Sequence, residues 1–151
     1  MANAAWRSGE PATAATVDSA RPARTPGPDL YPVHVTFVGL GLIGGSAALA
    51  LREAGGWTAA AWSPSGAGPA RALESGVIDA APSTLDRALA DADLVVLAAP
   101  PTACLALLDR LAGEARAALP GSAVVTDVAS TKALLVARAL ANRLRFVGGH
   151  P

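Results

Sequence analysis

Glycines recur in the run Gly39-Leu40-Gly41-Leu42-Ile43-Gly44. The spacing G-x-G-x-x-G suits a backbone that turns sharply and then meets a pyrophosphate. Gly39 permits the turn. Gly41 leaves room where a Cβ would intrude on the phosphates, and Gly44 lets a following helix sit close to a sheet. A helix starting there offers free N–H groups and a partial positive charge to the anion. A second group, Asp127-Val128-Ala129-Ser130-Thr131-Lys132, puts a carboxylate, a hydroxyl and an ammonium in one short stretch. A third, Gly148-Gly149-His150-Pro151, carries an imidazole, the side chain suited to exchanging a proton near neutral pH.

These groups need elements to hold them. Val33 to Val38 is a β-branched, apolar run ending at Gly39, which predicts a buried parallel strand. Gly41 to about Ala54 reads as a helix and Trp57 to Trp62 as the second strand. A helix over Gly66 to Ser75, a short third strand at Val77-Ile78-Asp79 and a short helix from Thr84 to Ala90 follow. Leu94 to Ala98 is a core strand. Pro100 and Pro101 end it and open a helix running to about Leu119, interrupted at Gly113, since proline suits the first helical turn. Ala123 to Asp127 is a strand, Ser130 to Asn142 a helix capped near Ser130, and Arg145 to Val147 the last strand.

Strands alternating with helices require right-handed crossovers and a parallel sheet covered on both faces. The expected fold is an α/β, Rossmann-type doubly wound sheet with strand order 3-2-1-4-5-6. Its ligand would lie at the carboxyl ends of the strands. All three chemical groups fall at strand-ending turns, hence on that one edge. The backbone at Ala99 and Pro100 would approach the nicotinamide ribose of a bound dinucleotide. The end of the second strand usually decides between NAD and NADP through an acidic residue that bonds the ribose hydroxyls. Ser63 stands there, 19 residues past Gly44 (63 − 44), and no carboxylate is present. A serine tolerates a 2′-phosphate, so the cofactor is NAD or NADP with a lean to NADP. No arginine follows directly, and Arg71 is some way along. Trp57 and Trp62 read as packing residues rather than adenine stackers, and His34 as a strand residue without catalytic work.

Composition narrows the alternatives. Hydrophobic residues make up 52% and charged residues 16%, a balance that argues for a folded, soluble chain. Formal net charge is zero, which gives no footprint for nucleic acid or an anionic membrane. The single cysteine, Cys104, excludes an intrachain disulfide and a cysteine metal cluster, and reads as a buried, inert thiol. No metal site is expected. No apolar run reaches the roughly 20 residues that span a bilayer, so a cytoplasmic location is expected. Residues 1–28, rich in Ala, Pro and Thr, read as a disordered leader before a dinucleotide-binding domain over 29–151.

Four stretches together resemble the prephenate/arogenate dehydrogenase family of tyrosine biosynthesis. They are Val38 to Ser46, Asp93 to Pro100, Thr126 to Lys132 and Phe146 to Pro151. The resemblance runs from about Val33 to the last residue. It implies oxidation of a cyclohexadienol, prephenate or arogenate, with hydride passing to nicotinamide and the ring carboxylate leaving as CO2. His150 matches the family's catalytic histidine, the proton acceptor for the ring hydroxyl. Ser130 matches the serine that orients the hydroxyl and the histidine. For Asp127 and Lys132 two roles stay open: Asp127 can fix the turn, and Lys132 can add positive potential for a dianionic substrate. Family members continue into a helical domain that builds much of the substrate pocket and the homodimer interface. This chain therefore looks like the first half of such an enzyme. The alternatives are another Rossmann dehydrogenase of the β-hydroxyacid or imine reductase type, or a dinucleotide-binding module without turnover.

Overall fold

The computed structural model describes residues 33–150; the expected leader lies outside them. Ten elements follow in chain order: β1 (Val33–Val38), α1 (Leu42–Ala54), β2 (Trp57–Trp62), α2 (Ala67–Glu74), α3 (Leu85–Leu89), β3 (Leu94–Leu97), α4 (Pro101–Ala112), β4 (Val124–Asp127), α5 (Ala133–Ala141) and β5 (Phe146–Val147). The five strands form one parallel sheet in the order β2-β1-β3-β4-β5. This is the Rossmann-type arrangement, with crossovers on both faces.

Alternation along β1 divides the core. Val35 and Phe37 point into one apolar cluster with Ala48 of α1, Ala59 and Ala61 of β2 and Val96. Val38 points the other way, into a larger cluster with Leu89, Val95, Leu97, Leu107, Leu108, Leu111, Val125 and Leu135. Small alanines bring the helices close to the sheet, which suits a core with so few aromatic residues. Thr36 is buried on the second face, and its Oγ1 donates to the Ala88 carbonyl of α3 at 2.6 Å. A buried hydroxyl without a partner would cost about 1–3 kcal/mol.

Three expected elements differ. The third strand at Val77-Ile78-Asp79 is reduced to one parallel bridge, Ala60 with Ala80. Gly76, at φ +68°, turns the chain off α2, and the Val77 amide closes that helix end on the Ala72 carbonyl. Asp79 Oδ2 then accepts from the Ala59 amide at 2.8 Å, so a side chain stands where a ladder carbonyl would. Pro82 brings no N–H to continue a ladder. Next, α4 ends at Ala112 and not near Leu119. Gly113 leaves helical geometry, and residues 113–119 form successive turns. Finally, α5 starts at Ala133 with Lys132 at its N-cap and no side-chain cap, so Ser130 is not the cap. The bonds of Asp127 hold residues 128–131 in a non-helical turn instead.

Register matters most for function. Trp62, Val38 and Leu97 pair across β2, β1 and β3; Leu97 pairs with Asp127, and Thr126 with Val147. All five strands therefore stop along one edge. Gly39, Ser63, Ala98, Val128 and Gly148, each one residue past a strand end, emerge together there.

Candidate active site

The glycine loop leaves β1 at that edge. Gly39 takes φ +92°, and a Cβ on it would meet the Ala98 carbonyl oxygen at 2.7 Å. Its amide donates to the Trp62 carbonyl at 2.8 Å, while the Ala98 amide donates to the Val38 carbonyl at 2.9 Å. The loop is thus wedged between the ends of β2 and β3. Gly44 is buried, and a Cβ there would stand 2.9 Å from Ala98 Cβ and 3.1 Å from the Gly39 carbonyl. Gly41 is different. It forms the N-cap of α1 at φ −88°, and a Cβ added to it would meet nothing within 4 Å. No side chain caps α1, and no acidic residue occupies its first turn. Open space, free N–H groups and an uncompensated positive helix end fit a pyrophosphate.

The turn after β2 holds Ser63, half-buried, whose carbonyl accepts from the Gly66 amide at 3.1 Å. Pro100 is exposed at the N-cap of α4, and Ala99 is half-buried beside it. Leu40, Gly41 and Ser46 line a groove of about 400 Å³ together with Gly68 and Arg71 of α2. Sequence spacing alone gave Arg71 no place at the site. Its helical register with Gly68 was the available signal, and only the close approach of α2 to the loop, where a Cβ on Gly68 would stand 3.2 Å from the Leu40 carbonyl oxygen, brings it near the glycines. Trp62 packs against the larger core cluster, and the Arg110 guanidinium lies 5.7 Å from its ring centroid.

A cleft of about 630 Å³ connects the start of α1 to the ends of β4 and β5. Leu42, Ile43, Ser46 and Ala47 form one wall; Thr126, Asp127, Val128, Gly149 and His150 form the other. Leu42 is 92% exposed and Ile43 47%, an unusual display for large apolar side chains at a helix start. His150 therefore shares a cavity with the glycine loop although more than a hundred residues separate them in sequence. Ser46, Thr126 and Val128 line it too; each falls in a stretch that carries the family resemblance, but none had an assigned role.

Ser130 is exposed on the turn after β4 and is not among the cleft-lining residues. Asp127 is fully buried and accepts bonds from the Ala129 amide, the Gly149 amide and Lys132 Nζ. Lys132 thus forms an ion pair within the protein. Cys104 is buried, and its Sγ lies 3.2 Å from the Ala99 carbonyl. Burial pushes its thiol up, with the Ala99 bond opposing, which keeps it protonated and unreactive. His34 is exposed at the opposite edge, its ring bonded to Thr58 Oγ1. Among the described residues no group of histidine, cysteine and carboxylate side chains could hold a metal, and no helix is long and apolar enough to cross a membrane.

With this geometry, similarity to known proteins becomes informative. The model of the prephenate dehydrogenase nucleotide-binding domain matches residues 47–151. The chain belongs to that family. The glycine loop lies ahead of the matched stretch, so its strand–turn–helix geometry is separate support. Prephenate dehydrogenase of Bacillus subtilis is 36% identical over 121 residues, covering 78% of this chain and 32% of that protein. Among solved structures, Synechocystis arogenate dehydrogenase is 34% identical with a TM-score of 0.69, over 79% of this chain and 41% of that one. Prephenate dehydrogenase from Aquifex aeolicus, solved with hydroxyphenyl propionate and NAD+, is 29% identical with a TM-score of 0.72. It is matched over 82% of this chain and 43% of its own. The domain therefore spans less than half the length of these relatives.

Proposed function

We propose that this domain is the cofactor-binding part of an NAD(P)-dependent dehydrogenase that oxidatively decarboxylates prephenate or arogenate. The observation that supports this reading is the shared cleft, which His150 and the start of α1 both line. The glycine loop and the N-terminus of α1 bind the pyrophosphate, and the backbone at Ala99 and Pro100 borders the nicotinamide ribose. The bound dinucleotide supplies the hydride acceptor. A ring C–H leaves as hydride while the hydroxyl on the same carbon loses its proton to an imidazole nitrogen of His150. As the carbon–oxygen bond gains carbonyl character the ring carboxylate leaves as CO2, its bonding pair passes through the ring to that oxygen, and the resulting phenolate takes up a proton; aromatisation drives the step. Ser130, exposed on the turn after β4 and outside the cleft lining of this domain, takes the role of orienting the hydroxyl from the family resemblance alone. Substrate recognition and homodimer formation belong to the further length that the relatives have.

His150→Asn, made in a protein comprising this domain and that further length, is expected to lower kcat by about 10²-fold or more. Dinucleotide affinity should stay near wild type, because the imidazole serves the substrate. A variant with normal kcat would remove His150 as the proton acceptor.

Between the two cofactors, Ser63 is the ground for NADP: it sets no negative charge against a 2′-phosphate. Arg71, on the groove that begins at Gly41, adds a cation on that side of the loop. Ser63→Asp should move the NAD/NADP affinity ratio towards NAD, since a carboxylate repels the 2′-phosphate and accepts from ribose hydroxyls. An unchanged ratio would place the ribose elsewhere than at Ser63.

A further inference from the structure

Asp127 is the buried charged residue among those described, and its side chain has no exposed surface. Its oxygens reach two segments far apart in sequence. Oδ2 accepts from the Ala129 amide at 2.9 Å and from Lys132 Nζ, within the turn after β4. Oδ1 accepts from the Gly149 amide at 3.3 Å, in the loop after β5. Two further contacts tighten the same junction. Thr126 Oγ1 donates to the Val147 carbonyl at 2.7 Å. A Cβ on Gly149 would overlap the Asp127 carbonyl oxygen, and one on Gly148 would stand 3.3 Å from Lys132 Cδ. The Lys132 stem therefore flanks the loop that the Asp127 carboxylate holds.

We propose that Asp127 is a positioning residue: paired with Lys132, it locks the turn at 128–132 to the loop at 148–150 and so fixes His150 against the cleft. The functional weight of this rests on the reading of His150 given above; the positioning itself does not. A buried carboxylate is tolerated when its charge is paired and its lone pairs are filled. Here the ammonium supplies the charge and two amides fill the remaining directions. An amide in its place would have one acceptor oxygen and one NH2 group. Donors approach from both segments, so an asparagine can satisfy one segment only and must set a donor against a donor in the other. Its shape is unchanged, which isolates the bonding from the packing.

The test uses the 151-residue chain, amide hydrogen exchange and 15N relaxation. In Asp127→Asn, the Ala129 or the Gly149 amide should exchange about tenfold faster or more, the loss expected for one hydrogen bond to a charged group. The His150 backbone should gain mobility, while Val95 and Val125 in the sheet keep their protection. Lys132→Met should loosen the same amides, and Lys132→Arg, which keeps the cation, should restore them. The proposal is overturned if Asp127→Asn leaves both amides and His150 as in wild type. It is equally overturned if exchange accelerates uniformly through Val95 and Val125, which would make Asp127 a general stabiliser. Should Asp127→Asn fail to fold, the Lys132 pair decides: loosening by Met with rescue by Arg supports the lock, and a wild-type-like Met variant refutes it. These readouts do not involve turnover. A catalytically silent His150→Asn would therefore sink the proton-acceptor role and leave this result standing.

Discussion

The motif gives Gly39 the turn and Gly41 the open approach, and in the structure the two obey opposite constraints. At Gly39 the backbone sits at φ +92° with the Ala98 carbonyl where a Cβ would go, so the fold itself requires glycine. At Gly41 neither backbone angle nor neighbours object to a side chain; only a ligand would. Gly39→Ala should destabilise the domain by about 1–3 kcal/mol, the strain of a non-glycine residue at such an angle. Gly41→Val should leave the melting temperature near wild type and weaken nicotinamide dinucleotide binding at least about tenfold, because its methyl groups fill the pyrophosphate space. Thermal melts and titration calorimetry on the two variants separate these effects. Equal dinucleotide affinity in Gly41→Val and wild type would mean that the phosphates lie elsewhere. The motif's spacing already separates the turn at Gly39 and the helix contact at Gly44 from the open position at Gly41, and the structure supplies what faces each one.

At the scale of elements, legibility tracked how local the decisive interaction is. β1 and β3 are apolar runs buried on both faces, and their residues announce them. The expected third strand failed because Asp79 spends its carboxylate on the Ala59 amide, a contact across twenty residues that no strand propensity reveals. Asp79→Ala would leave that amide of β2 without its partner and should cost about 1–3 kcal/mol. Asp79→Asn, which keeps an acceptor oxygen, should cost much less. Chemical denaturation measures both, and equal stability of Asp79→Ala and wild type would show that solvent takes over the bond. The start of α5 lies later than its sequence suggests for a similar reason. Ser130 has the chemistry of a helix cap, but Asp127 already holds the Ala129 amide and Lys132, so the helix begins after them.

For the whole molecule, the order of elements, the parallel sheet and the edge on which the chemistry gathers were determined by the sequence itself. Apolar runs alternate with helical stretches, and handed crossovers leave few ways to connect them. The motifs sit at strand ends, and in a parallel sheet all strand ends of one polarity share an edge. What only the tertiary structure decided is how the groups on that edge face one another. Register placed Asp127 beside Leu97 and Val147 beside Thr126, which closed the cleft between Ile43 and His150. The approach of α2 to the loop at Leu40 brought Arg71 to the groove at Gly41. Lys132, a candidate for substrate charge when read alone, turned inward to neutralise a buried carboxylate. The physical reason is the same in each case. A side chain's role depends on the nearest charge, donor or empty space, and those neighbours come from distant parts of the chain that local propensity does not connect.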